Sequence, residues 1–170
     1  MNVLFYISAG IAVLATCMVI TLRNPVHALL YLILSLLAVA SVFFSLGAPF
    51  AAALEVIIYA GAIMVLFVFV IMMLNPGTEN EGRYRQLLSP RAWLGPSILA
   101  GILFAELLYV IVSGDGALTT NRQISPKEVG MALFGPYVLA VELASMLLTA
   151  GLVGAYHLGR RVRNSGGDKT

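Results

Sequence analysis

The chain reads as an all-α integral membrane protein whose five transmembrane helices form a single domain, and three observations carry that reading. Of its 170 residues, 60% are apolar and 11% charged, with a mean hydropathy of +0.95. Water-soluble domains are about 45–50% apolar and about 25% charged, so this chain has too little polar surface to cover a fold in water. Second, apolar runs of roughly 20 residues, enough at a rise of about 1.5 Å per residue to cross a hydrocarbon core about 30 Å thick, recur along it. Third, the connections alternate in charge. Arg23, Arg83, Arg85, Arg91, Arg160, Arg161, Arg163 and Lys169 fall on one side of the spans, and only Arg122 and Lys127 on the other.

The spans lie near 2–22, 26–46, 50–74, 92–112 and 134–158, within one membrane domain over 1–158. All are helices, because backbone groups in lipid must be satisfied within their own segment and an open strand edge cannot be. No Lys or Arg precedes the first apolar run, which continues to Leu22, so a retained helix is expected rather than a cleaved signal peptide. Cys17 sits inside that helix as the single cysteine, a small apolar filler that leaves no intrachain disulfide. Residues 23–25 and 47–49 suffice only for turns, whereas 75–91 and 113–133 are long polar connections. Cytoplasmic loops retain positive charge, which puts the N-terminus outside and the C-terminus in the cytoplasm. Residues 159–170 form a short basic cytoplasmic tail. Its arginines anchor the topology and are also suited to anionic membrane lipids.

Three carboxylates occupy apolar spans: Glu55, Glu106 and Glu142. A charge at the bilayer centre costs at least about 2.5–3.5 kcal/mol, so each should face protein or water or carry a proton. None has a Lys or Arg in its own helix, so a partner must come from another helix, another chain or a water file. Glu55 and Tyr59 are four apart and share a helix face with Ala62 and Leu66; Glu142, Ser145 and Thr149 form a similar stripe. Either patch suits a segment of a proton or water path, or interhelical hydrogen bonding that only holds helices together. Glu106 has only Tyr109 as a polar neighbour at helical spacing and reads as a structural or lipid-interface residue.

The third span is also long, about 25 residues or roughly 37 Å, and must tilt or bulge to fit. Within it, Gly61 lies in the sequence Tyr59-Ala60-Gly61-Ala62. A glycine there costs about 1 kcal/mol relative to Ala and permits either close packing of backbones or a π-bulge. The small residues Ala140, Ala144, Gly151 and Ala155 mark another packing stripe, on the fifth span. So small a chain with several such faces is expected to be one subunit of a larger membrane assembly.

No catalytic apparatus is legible. A haem shared between His27 and His157, both near cytoplasmic helix ends, would have no other support, and the lone Cys17 excludes iron–sulfur ligation. Neither a Gly-rich phosphate loop nor a nucleophile beside a base occurs, and the ten scattered basic residues give no nucleic-acid surface.

Several stretches together carry a family resemblance: Asn24-Pro25-Val26-His27-Ala28-Leu29, Ser45-Leu46-Gly47-Ala48, the run from Leu54 to Phe69 with Glu55-Val56-Ile57-Ile58-Tyr59-Ala60-Gly61-Ala62 at its heart, and Gly135-Pro136-Tyr137-Val138-Leu139-Ala140-Val141-Glu142. They resemble the subunit J family of proton-pumping NADH:quinone oxidoreductase, respiratory complex I, known as the chain 6 type in mitochondria. The resemblance implies a membrane-arm subunit among other small hydrophobic subunits, near the membrane subunit of the quinone site. It implies that NADH, FMN, iron–sulfur clusters and quinone are handled by partner subunits, and that this chain binds no cofactor and no metal. It further implies a π-bulge around Gly61 to Val65 that switches to regular helix. The switch would turn Tyr59, Met64 and Val65 and gate a hydrated proton path to which Glu55 and Glu142 would belong. A bacterial inner membrane is the expected location. The rival reading from another class is a subunit of a multi-subunit cation/proton antiporter. The connections 75–91 and 113–133 and the tail match no pattern of the family.

Overall fold

The computed structural model describes residues 3–22, 24–74, 90–113 and 123–159. Its elements are α1 (Val3–Thr21), α2 (Pro25–Ser45), α3 (Pro49–Leu54), a π-helical segment (Glu55–Ile63), α4 (Met64–Leu74), α5 (Pro90–Ser113), α6 (Pro126–Leu133) and α7 (Val138–Gly159). Among the described residues there is no strand. Among the described residues five helices are long and apolar enough to cross a membrane: α1, α2, the joined helix from α3 through the π-helical segment to α4, α5 and α7. The chain divides into two compact units, Met1–Ser125 and Pro126–Thr170.

In the first unit α1, α2 and α5 share a core of Ile11, Leu34, Ala38 and Leu103, with Ala12, Leu37 and Leu99 packed against it. Lipid tails are as apolar as leucine, so burial alone does not drive helices together in a membrane; small side chains and interhelical hydrogen bonds do. Both devices are present between α1 and α2. Ala15 and Ala38 are fully buried. The hydroxyls of Thr16 and Ser35 lie 2.8 Å apart, and Ser35 Oγ also donates to the Ala12 carbonyl at 3.2 Å.

The turns around α2 arise from local chemistry. At its start, Asn24 Oδ1 accepts the Val26 N–H at 3.1 Å, and Pro25 occupies the first helical position, where no backbone donor is needed. At its end Gly47 adopts φ 82°. Its N–H donates to Phe44 O and the next, of Ala48, to Phe43 O, each at 3.0–3.1 Å. This left-handed cap satisfies the last carbonyls of α2 and frees Pro49 to begin α3. The Gly47 carbonyl also accepts from Ile124 N–H at 3.0 Å, tying the far end of the unit to this turn.

One expected boundary needs correction. The fifth span does not begin at 134: residues 134–137 form a turn and α7 starts at Val138. The cause is Gly135-Pro136, since Pro136 has no N–H to extend the ladder; Tyr137 N–H instead reaches Ala132 O at 3.2 Å. Residues 113–133, expected to be a connection long enough for more than a turn, contain α6, whose eight residues are far too few to cross a membrane. Elsewhere boundaries differ by one or two residues, as where α5 begins at Pro90. The segments 75–89, 114–122 and 160–170, with Arg23, lie outside the described residues. So do most of the basic residues behind the inside/outside assignment and nearly all of the basic tail.

Candidate functional site

The third span carries its irregularity in the backbone itself. At Glu55 the N–H still donates to Ala51 O and Ala52 O, the α-type and tighter partners. Nine residues later the Met64 N–H is shared between Gly61 O and Tyr59 O, the latter five residues back. Between these points the ladder is π-helical, a wider turn that is rare and is frequent at functional sites. A π-helical piece therefore occupies Glu55–Ile63, covering Gly61, where close packing and a bulge were the open alternatives.

Gly61 fits this backbone for a specific reason. A Cβ built there would stand 3.1 Å from the carbonyl oxygen of Val56, again five residues earlier. The widened turn leans that carbonyl over position 61, and only a residue without a side chain leaves it undisturbed.

The side chains of the segment divide sharply. Tyr59 and Val65 are 51% and 64% exposed, while Met64 is 4% exposed. Glu55, at the head of the segment, is half-buried. Because the ladder is π-helical from Glu55 onward, the simple four-residue spacing of Glu55 and Tyr59 no longer stacks them as it would in an α-helix.

The remaining carboxylates behave differently from each other. Glu106 on α5 accepts a hydrogen bond from Ser8 Oγ of α1 at 2.7 Å. Its second oxygen, Oε2, is buried with no hydrogen-bond partner among the described residues. Its partner thus comes from another helix. The signal that could have found the pair is a lone serine flanked by Ala9 and Gly10, small residues that let α1 approach. Glu142, in the second unit, is exposed. The hydroxyls of its stripe turn back onto their own helix: Ser145 donates to Glu142 O at 2.7 Å and Thr149 to Ser145 O at 2.9 Å. Such back-bonding satisfies a hydroxyl in lipid without a partner helix.

His27 and His157 fall in different units. His27 is buried with its ring edge-on to Trp93, centroids 6.5 Å apart, and its Nε2 has no partner among the described residues. His157 is exposed. Among the described residues no three His, Cys, Asp or Glu side chains gather as a metal site. The arrangement is that of an apolar helix with an altered hydrogen-bond register and few ionisable groups.

Residues 15–158 match the family described as NADH-ubiquinone/plastoquinone oxidoreductase chain 6. The chain is 60% identical over 162 residues to NADH-quinone oxidoreductase subunit J of Pseudomonas aeruginosa, an alignment covering 95% of this chain and 98% of that protein. With the subunit J of Escherichia coli (strain K12) it shares 60% identity over 163 residues, 96% of this chain and 89% of the relative. A more distant subunit J, from Buchnera aphidicola subsp. Baizongia pistaciae, is 39% identical over 163 residues, 94% of this chain and 98% of the relative.

Proposed function

This chain belongs to the NADH-ubiquinone/plastoquinone oxidoreductase chain 6 family, and from that premise we propose that its third helix is the moving part through which electron transfer from NADH to quinone is coupled to proton translocation. As a subunit of the NADH:quinone oxidoreductase the chain takes part in an enzyme whose redox groups, FMN and iron–sulfur clusters, belong to other subunits. NADH and quinone bind there too. Its neighbours are the small hydrophobic subunits of the membrane arm and the membrane subunit of the quinone site, and its place is the bacterial inner membrane, crossed five times with the N-terminus outside.

The observation that carries the reading is the π-helical register of Glu55–Ile63. Returning it to α-helix removes one residue of offset and turns the downstream side chains by about 100°. Met64, now buried, and Val65, now exposed, would exchange environments. An apolar side chain swung into a narrow hydrated path breaks the file of waters, and swung out restores it; Tyr59 supplies a hydroxyl at the same level. Glu55 and Glu142 are the carboxylates of this chain that such a path would use.

The test is Gly61→Val in the assembled complex. Lower NADH:quinone reductase activity and proton pumping, at unchanged subunit content, are expected. Wild-type turnover in a fully assembled variant would overturn the switch.

A further inference from the structure

Of the three carboxylates in apolar spans, Glu106 is the one that the proposed path leaves unused. It lies six residues before Val112 in the apolar stretch Trp93–Val112, roughly 9 Å inside the end of that stretch at about 1.5 Å per residue. Its Oε1 accepts the Ser8 hydroxyl at 2.7 Å, and Ser8 itself is 1% exposed. Its Oε2 is buried with no hydrogen-bond partner among the described residues. The chain's own atoms close that oxygen to a neighbouring subunit, so whatever compensates it must come from within.

The surrounding helices offer no counter-charge. α1 and α2 pack against α5. The titratable side chains are Tyr6 and Cys17 along α1, His27 and Tyr31 along α2, and Glu55 and Tyr59 along the third span; none is Lys or Arg. The one imidazole, His27, is seated against Trp93, thirteen residues from Glu106 and about 20 Å along the axis of α5. On α5 itself the others are Tyr109 and Arg91, and Arg91 is fifteen residues away, about 22 Å along the axis.

An ionised carboxylate in this setting would have one neutral hydrogen bond, no cation and no water on its second oxygen. Taking a charge out of water without compensation is far more costly than leaving one neutral oxygen unpartnered. We propose that Glu106 is a proton-binding site of this chain, its carboxyl held as the neutral acid with the proton on Oε2 while Ser8 bonds to Oε1. Glutamine is then its nearest stand-in, since it keeps the carbonyl acceptor and carries no charge.

A hydrophobic carbodiimide reads such an acid. The acid proton passes to one nitrogen of dicyclohexylcarbodiimide as the carboxyl oxygen adds to its central carbon. The acyl group then shifts from that oxygen to the unprotonated nitrogen, giving an N-acylurea that keeps every atom of both reactants. The assembled complex in membrane vesicles is treated at neutral pH and at about pH 5, and adducts on this chain are mapped by mass spectrometry. A carboxyl in water gains on the order of a hundredfold in protonated form across that interval, whereas Glu106 should give the same adduct yield at both. A yield that rises steeply with acid would overturn the proposal. Glu106→Gln decides independently of the reagent's access. An assembled complex with wild-type thermal stability is expected, and a marked fall would show that the removed charge had been paired, which overturns the proposal too.

Discussion

The place where a Cβ of residue 61 would stand is 3.1 Å from the carbonyl oxygen of Val56, so Gly61 and Val56 approach more closely than most side chains would leave room for. The contact joins residues five apart, the spacing of the π-helical ladder around them. Backbone register and residue choice agree at this point.

Substitutions at Gly61 should therefore act in graded fashion. Alanine requires the Val56 carbonyl to give by a few tenths of an ångström and raises helix propensity by about 1 kcal/mol. It should favour the α-helical register modestly and reduce coupled activity in part. Valine, bulkier and stiff at χ1, should reduce it further. NADH:quinone reductase activity and proton uptake per NADH, measured on complexes of matched subunit content, check the order wild type, alanine, valine.

Glu55→Gln separates a titrating carboxylate from a packing one. If Glu55 carries protons in the path, the amide, which cannot ionise, should slow pumping and lower the protons moved per NADH, with assembly intact. Normal stoichiometry would leave Glu55 a structural residue. Proton uptake by reconstituted vesicles distinguishes the two.

Ser8→Ala leaves Glu106 Oε1 without its only described partner, 2.7 Å away, while Oε2 already has none among the described residues. Orphaning a buried acceptor costs about 1–3 kcal/mol, whereas replacing both partners with apolar groups is close to neutral. Thermal stability of the complex should fall in Ser8→Ala and recover in Ser8→Ala with Glu106→Leu. The double-mutant cycle should return a coupling outside the range of independent sites.

Gly95→Ala places a methyl group against the hydroxyl of Tyr31, which is 8% exposed. The α2–α5 contact should weaken by about 1–3 kcal/mol, the usual cost of overpacking. Tyr31→Phe removes the obstructing oxygen and should restore assembly in the double variant. Yield of intact complex after mild detergent extraction reads both.

Much of this protein was determined locally. Span number, helical state and the order of elements come from hydropathy, because a chain in lipid has no choice but to bond its own backbone. Gly47, Pro25 and Asn24 end and start helices through their own chemistry, and Gly61 marked the irregular stretch of the third span without deciding between packing and a shifted ladder. Where Gly135-Pro136 interrupts the approach to α7, hydropathy misplaced the helix start, since apolarity continues through residues that cannot hold the ladder.

Only the tertiary structure decided the partners. Nothing in the local pattern relates Ser8 to Glu106, ninety-eight positions apart, or Thr16 to Ser35, or Tyr31 to Gly95. In the stripe on α7, the hydroxyls that spacing offered to a neighbour are spent on their own carbonyls. Periodicity reports which face a side chain occupies. What that face meets depends on how closely whole helices approach, and in a membrane that distance is set by pairs of small residues and by hydrogen bonds contributed from both sides.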